Sequence, residues 1–67
     1  MPLIASLEFD RGSLRVCTLS AFRDGNKLMF EAVESGPYGI CPALFSNEEF
    51  KQLLRLITER RYKSDGR

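Results

Sequence analysis

Apolar and polar residues alternate along two segments between Leu14 and Glu34, which meet at Arg23-Asp24-Gly25-Asn26. A period of two marks a strand with one face buried, and Asp-Gly between two such runs is the strongest short hairpin signal. With Asp24-Gly25 as a two-residue loop, Ala21 stands opposite Leu28, Leu19 opposite Phe30, Cys17 opposite Ala32 and Arg15 opposite Glu34. That face is apolar and ends in a charge pair. The reverse sets Val16, Thr18, Ser20 and Phe22 against Lys27, Met29, Glu31 and Val33. A slip of one residue would place Leu19 opposite Glu31 and exchange the faces, so the pattern disfavours it.

Upstream, Leu3, Ala5, Leu7 and Phe9 alternate with polar or small neighbours and predict a first strand. A three-residue loop over Asp10-Arg11-Gly12, with Gly12 left-handed in a bulge, pairs Leu7 with Arg15, Ala5 with Cys17 and Leu3 with Leu19. Downstream, Ser35-Gly36-Pro37-Tyr38-Gly39 has turn composition, and Ile40 to Phe45 has the length of a fourth strand. Pro42 has no N–H for a sheet ladder, which sends this strand to an edge.

Ser46-Asn47-Glu48-Glu49 is a capping box, and Phe45 with Phe50 forms a hydrophobic staple across it. Phe50, Leu53, Leu54 and Ile57 then recur at helical spacing, with Lys51, Gln52, Arg55 and Glu59 facing away. Leu56 widens the stripe to one side, either to cover the sheet margin or to meet a partner helix. The expected fold is a single α+β domain over residues 1–63, a four-stranded antiparallel meander followed by one C-terminal helix (ββββα). Residues 64–67 are expected to form a frayed polar tail.

A chain of 67 residues buries only about 60% of its unfolded surface, and domains of this size often draw stability from association. The expected association is a homodimer. Cys17 and Cys41, 24 positions apart with no His in the chain, supply neither a zinc set nor a disulfide framework, and both read as small buried hydrophobes of a reducing compartment. The expected location is therefore the cytoplasm. No run approaches the roughly 18 apolar residues of a membrane span, and no membrane contact is expected. Net charge is +1: residues 1–47 carry four basic and five acidic side chains, residues 48–67 six basic and four acidic.

Catalysis finds little support in these residue types. There is no imidazole base, Cys17 points to the predicted core, and Glu8, Asp10, Glu31 and Glu34 sit on strands where solvation or cross-strand pairing is their ordinary role. Gly36 and Gly39 fit no phosphate-loop spacing and precede a strand, not a helix. No enzyme activity, cofactor, metal or small-molecule substrate is expected. Binding of single-stranded nucleic acid asks for cations beside an aromatic platform, and Phe22, Arg23, Lys27 and Arg11 offer such a set. Arg60, Arg61 and Lys63 add cations in the last helical turns, where the helix dipole already favours them.

The order of these elements resembles the single-stranded-DNA-binding domain of the transcriptional positive-cofactor family, and more distantly the purine-rich-element-binding and Whirly proteins. The likeness lies in Phe9-Asp10-Arg11-Gly12, the strand Arg15 to Phe22, the turn Arg23 to Lys27, the strand Leu28 to Val33, and Tyr38-Gly39-Ile40 leading to Phe45-Ser46-Asn47-Glu48-Glu49-Phe50-Lys51-Gln52-Leu53. Tyr38 stands where that family has a basic residue, and Cys41-Pro42-Ala43 reads as an insertion before the helix. The resemblance implies a homodimer joined through helix and edge strands that grips single strands across curved sheets. It implies Arg11, Arg15, Arg23 and Lys27 as phosphate contacts, with Phe22 for stacking, in a transcription-related role without base-specific readout. The competing expectations are a small protein-interaction or assembly module that binds no nucleic acid, and a regulatory subunit of a larger enzyme.

Overall fold

A computed structural model describes the backbone of residues 2–65 and the side chains of residues 2–60. The chain forms β1 (Leu3–Gly12), β2 (Arg15–Asp24), β3 (Lys27–Gly36), β4 (Gly39–Pro42) and α1 (Asn47–Asp65). The strands make one antiparallel sheet in the order β1-β2-β3-β4, so the expected ββββα arrangement is the observed one. Helix α1 reaches Asp65, and residues 66 and 67 of the expected polar tail lie outside the described residues.

Both hairpin registers differ from the expected ones, and both differ by an even number. Between β2 and β3 the loop is Gly25-Asn26, and Leu19 faces Ala32 while Ala21 faces Phe30. Gly25 alone of the loop pair has positive φ, +63°, which suits Gly at the first central position of a two-residue turn. Between β1 and β2 the loop is Ser13-Leu14, not Asp10-Arg11-Gly12, so Leu7 faces Leu19 and Ala5 faces Ala21. Ser13 and Leu14 have φ of +54° and +63°, the pattern of a type I′ turn built from residues that seldom adopt it. Slips of two and four residues keep side chains on their faces, so from Ala5 onward the core face survives both changes.

Two bulges in β1 adjust it to the helix. Arg11 is the extra residue between the Asp10–Val16 and Gly12–Arg15 pairs, and Ile4 is the extra residue between Leu3–Phe22 and Ala5–Ala21. A bulge re-aims side chains, and here both extra residues hold α1. Arg11 makes a two-pronged ion pair with Glu49, with Nη2 donating to Oε1 at 2.8 Å and Nη1 to Oε2, and Nη2 also donates to the Leu44 carbonyl at 3.1 Å. At the other end of α1, Arg60 Nη1 donates to the Ile4 carbonyl at 2.6 Å. The Ile4 bulge also moves Leu3 to the face away from the helix, opposite Phe22, where it is exposed instead of joining the core as expected.

The helix start is as the sequence predicts. Ser46 Oγ accepts from the Glu49 amide at 3.1 Å, and the Ser46 amide donates to Glu49 Oε1 at 2.9 Å, the two bonds of a capping box. Phe45 and Phe50 close the staple with ring centroids 5.8 Å apart. Helix α1 lies mainly over β1 and β2, placing Leu53 and Ile57 against Ala5, Leu19 and Ala21. The small Ala5 and Ala21 below leave room for the two leucine-sized helix residues. Leu56 packs against this core, the first of its two expected roles, whereas Leu54, expected in the stripe, is exposed because the helix sits toward the β1 side of the sheet.

The off-centre helix leaves β3 and β4 open. Leu28 and Phe30 point to the helix side yet remain 46% and 38% exposed, and Phe30 is covered only in part by Phe50, edge to face at 4.9 Å. Strand β4 is an edge strand, as expected from Pro42, but it ends there instead of running to Phe45. Cys17 is buried as expected. Cys41 is exposed, a correction with the same cause: it faces Glu34 on the half of the sheet that α1 does not cover.

Candidate nucleic-acid interface

The β2–β3 turn closes one end of the sheet, where Gly25 lets the chain reverse and brings Arg23 and Lys27 to either side of the loop. The Arg23 amide donates to the Pro2 carbonyl at 3.0 Å, which fastens the start of the chain to β2 there. Ile4, lifted by its bulge, and Ile57 of α1 approach the same end. Together Ile4, Arg23, Asn26, Lys27, Leu28 and Ile57 line an open cleft of about 400 Å³. Its floor is aliphatic, its rim carries two cations and an amide, and no carboxylate is among its described lining residues.

The face turned away from the helix has the opposite character. Glu8, Asp10 and Glu31 lie on it, on the same side as Val16, Thr18, Ser20 and Phe22, and Lys27 belongs to it by register, opposite Asp24 at the turn. A phosphate chain would meet repulsion from the carboxylates along that face, whereas Arg23 and Lys27 attract it at the turn end.

The structure gathers two of the five residues expected to bind nucleic acid. Arg23 and Lys27 share the cleft. Arg11 lies at the opposite end of the strands and is taken up by Glu49, with its guanidinium 6.0 Å from the Phe9 ring centroid. The pairing holds the Glu49 carboxyl at about 2, first through the hydrogen bond from Arg11 and then through that from the Ser46 amide, and raises Arg11 above the usual guanidinium value. Arg15 is also at that end, with Nε 3.4 Å from Glu34 Oε2. Since Glu34 faces Cys17 and not Arg15, this ion pair is diagonal rather than directly cross-strand. Phe22 is half-buried on the far face opposite Met29 and Leu3, not opposite Lys27, so it does not share the cleft.

Sequence reasoning did not single out Ile4, Asn26, Leu28 or Ile57 as site residues. Asn26 and Leu28 flank Lys27 in the chain and were legible as neighbours, but Ile4 enters only through a bulge that no local pattern announces. Arg60 holds the Ile4 carbonyl from α1, and the side chains of Arg61 and Lys63 lie outside the described residues.

Among the described residues no cluster of three His, Cys, Asp or Glu is placed to hold a metal ion, and no helix is long and apolar enough to cross a membrane. Comparison of the chain with protein-family models, with curated proteins and with solved structures finds no match.

Proposed function

We propose that this domain binds single-stranded nucleic acid at the β2–β3 end, without base-specific readout. The observation that carries the reading is the joining of Arg23 and Lys27 over an apolar floor in one open cleft with no carboxylate among its described lining residues. Backbone phosphates sit on the two cations. An unstacked base rests on Leu28 and Ile57, which a duplex would keep from view. This is the activity implied by the likeness to the positive-cofactor family, with the contact surface narrowed to one end of the sheet.

The test is fluorescence anisotropy of a labelled single-stranded oligonucleotide at low and moderate salt, with its duplex as control. Binding should prefer the single strand and weaken as salt rises. Arg23→Ala and Lys27→Ala should each lower the log–log salt slope by about 0.7, whereas Arg11→Gln should leave the slope unchanged. Absence of binding at tens of micromolar in low salt would overturn the reading.

A second reading, a protein-interaction module, is favoured by one observation: Leu28, Phe30, Leu54 and Phe45 leave apolar surface uncovered on the helix side of the sheet. Binding carried by such a surface would be insensitive to salt, which separates the two readings in the same titration.

A further inference from the structure

Strand β3 is ten residues long, but β4 pairs with only its last four, Val33 to Gly36. One further bond, from the Ala43 amide to the Ala32 carbonyl at 3.1 Å, ends the coverage. The outer edge of Lys27-Leu28-Met29-Phe30-Glu31 therefore has no neighbouring strand among the described residues. Outward backbone groups in β3 belong to even-numbered positions, because Ala32 bonds toward β4 and Asp24–Lys27 closes the two-residue loop toward β2. Leu28 and Phe30 thus present N–H and C=O groups to open space. An exposed edge flanked by apolar side chains is a template for another strand, and Leu28, Met29 and Phe30 are all exposed at 38 to 46%.

We infer that this edge pairs with the same edge of a second copy of the chain, antiparallel about a two-fold axis through Met29. The segment Lys-Leu-Met-Phe-Glu is complementary to its own reverse. In this register Lys27 faces Glu31 of the second copy, Leu28 faces its Phe30, and Met29 faces its Met29. Leu28 and Phe30 become hydrogen-bonded partners across the axis, as their outward groups require. The register uses the five residues between the β2–β3 turn and the end of β4, so neither β4 is displaced. The product is a continuous eight-stranded sheet with both helices on one face, and the two-fold contact closes without exposing a further edge at this site. The contact does not rest on nucleic-acid binding, and because it engages Lys27 and Leu28 of the β2–β3 cleft it competes with that site.

Sedimentation equilibrium of the full chain over a concentration series tests the pairing through its charges. Wild type should behave as a reversible dimer. Lys27→Glu or Glu31→Lys alone sets like charges opposite each other twice per dimer and should weaken association by roughly tenfold or more. The double variant Lys27→Glu with Glu31→Lys restores both attractions in reversed sense and should return the association to near the wild-type level. Far-UV circular dichroism checks each fold. If a swap unfolds the domain, Lys27→Gln and Glu31→Gln should weaken the dimer in the same direction by less. A monomer up to about 1 mM, a dimer indifferent to the single changes, or a double variant as weak as either single one would overturn the pairing.

Discussion

The two halves of the sheet carry the same alternation and come to different ends. On β1 and β2 the helix-facing residues Ala5, Leu19 and Ala21 are at most 1% exposed, whereas on β3 Leu28 and Phe30 are more than a third exposed. The difference lies in what covers them: α1 rests on β1 and β2 and is fastened to β1 by Arg11–Glu49 and Arg60–Ile4. Alternation states that a strand has an apolar face. It does not state whether the chain itself, a second copy or a ligand will cover that face.

The sharpest way to break this comparison is to truncate one leucine from each side of α1. Leu53 is fully buried in the covered half, and Leu53→Ala should cost about 2 to 5 kcal/mol, a loss that a domain of this size would show as a large fall in melting temperature or as outright unfolding. Leu54 is 38% exposed on the open side, and Leu54→Ala should cost well under half as much. Equal costs, read by thermal or urea denaturation, would mean that α1 is rotated or shifted toward β3.

These contrasts show what the sequence could and could not disclose. The capping box and staple were legible because every bond in them joins residues at most five positions apart in the chain. Strand order followed from short connections, and the edge position of β4 followed from one missing N–H at Pro42. The registers were not legible, since a period of two fixes only whether a slip is odd or even. The first turn went to Ser13-Leu14, where nothing in residue preference points, leaving Gly12 outside the loop with φ of +81° at the end of a bulged strand. The candidate site was half legible. Arg23 and Lys27 announce themselves beside a turn, while the release of Arg11, Arg15 and Phe22 from the site depends on partners and faces that only the fold assigns.

The ion pair that anchors the covered half gives a pH signature. Glu49 sits at about 2 in the folded chain against an ordinary value of 4.5. A carboxyl lowered on folding contributes stability that is whole above 4.5 and is lost as pH falls from 4.5 toward 2. Glu49→Gln keeps the capping geometry but removes the charge. The stability gap between wild type and this variant, measured by urea unfolding, should be widest above pH 5 and should close across that interval. A gap that stays constant down to pH 2.5 would mean that the pair contributes no charge-dependent stability, and the covered half would owe its order to packing alone.

The smallest expected effect concerns the two hairpin turns. Gly25 occupies its left-handed position without a Cβ, whereas Leu14 holds a φ of +63° with a side chain that is 85% exposed. Left-handed backbone costs an L-residue roughly 1 to 2 kcal/mol, and glycine returns part of that gain through the entropy of its unfolded chain. Leu14→Gly removes almost no buried apolar surface, so the conformational relief should dominate and stabilise the domain by about 0.5 to 1 kcal/mol. Amide exchange should slow along β1 and β2 in that variant relative to β4. Destabilisation instead would mean that the Leu14 side chain is buried in solution, by a partner or by an altered turn, and the register of the first hairpin would have to be redrawn around Gly12.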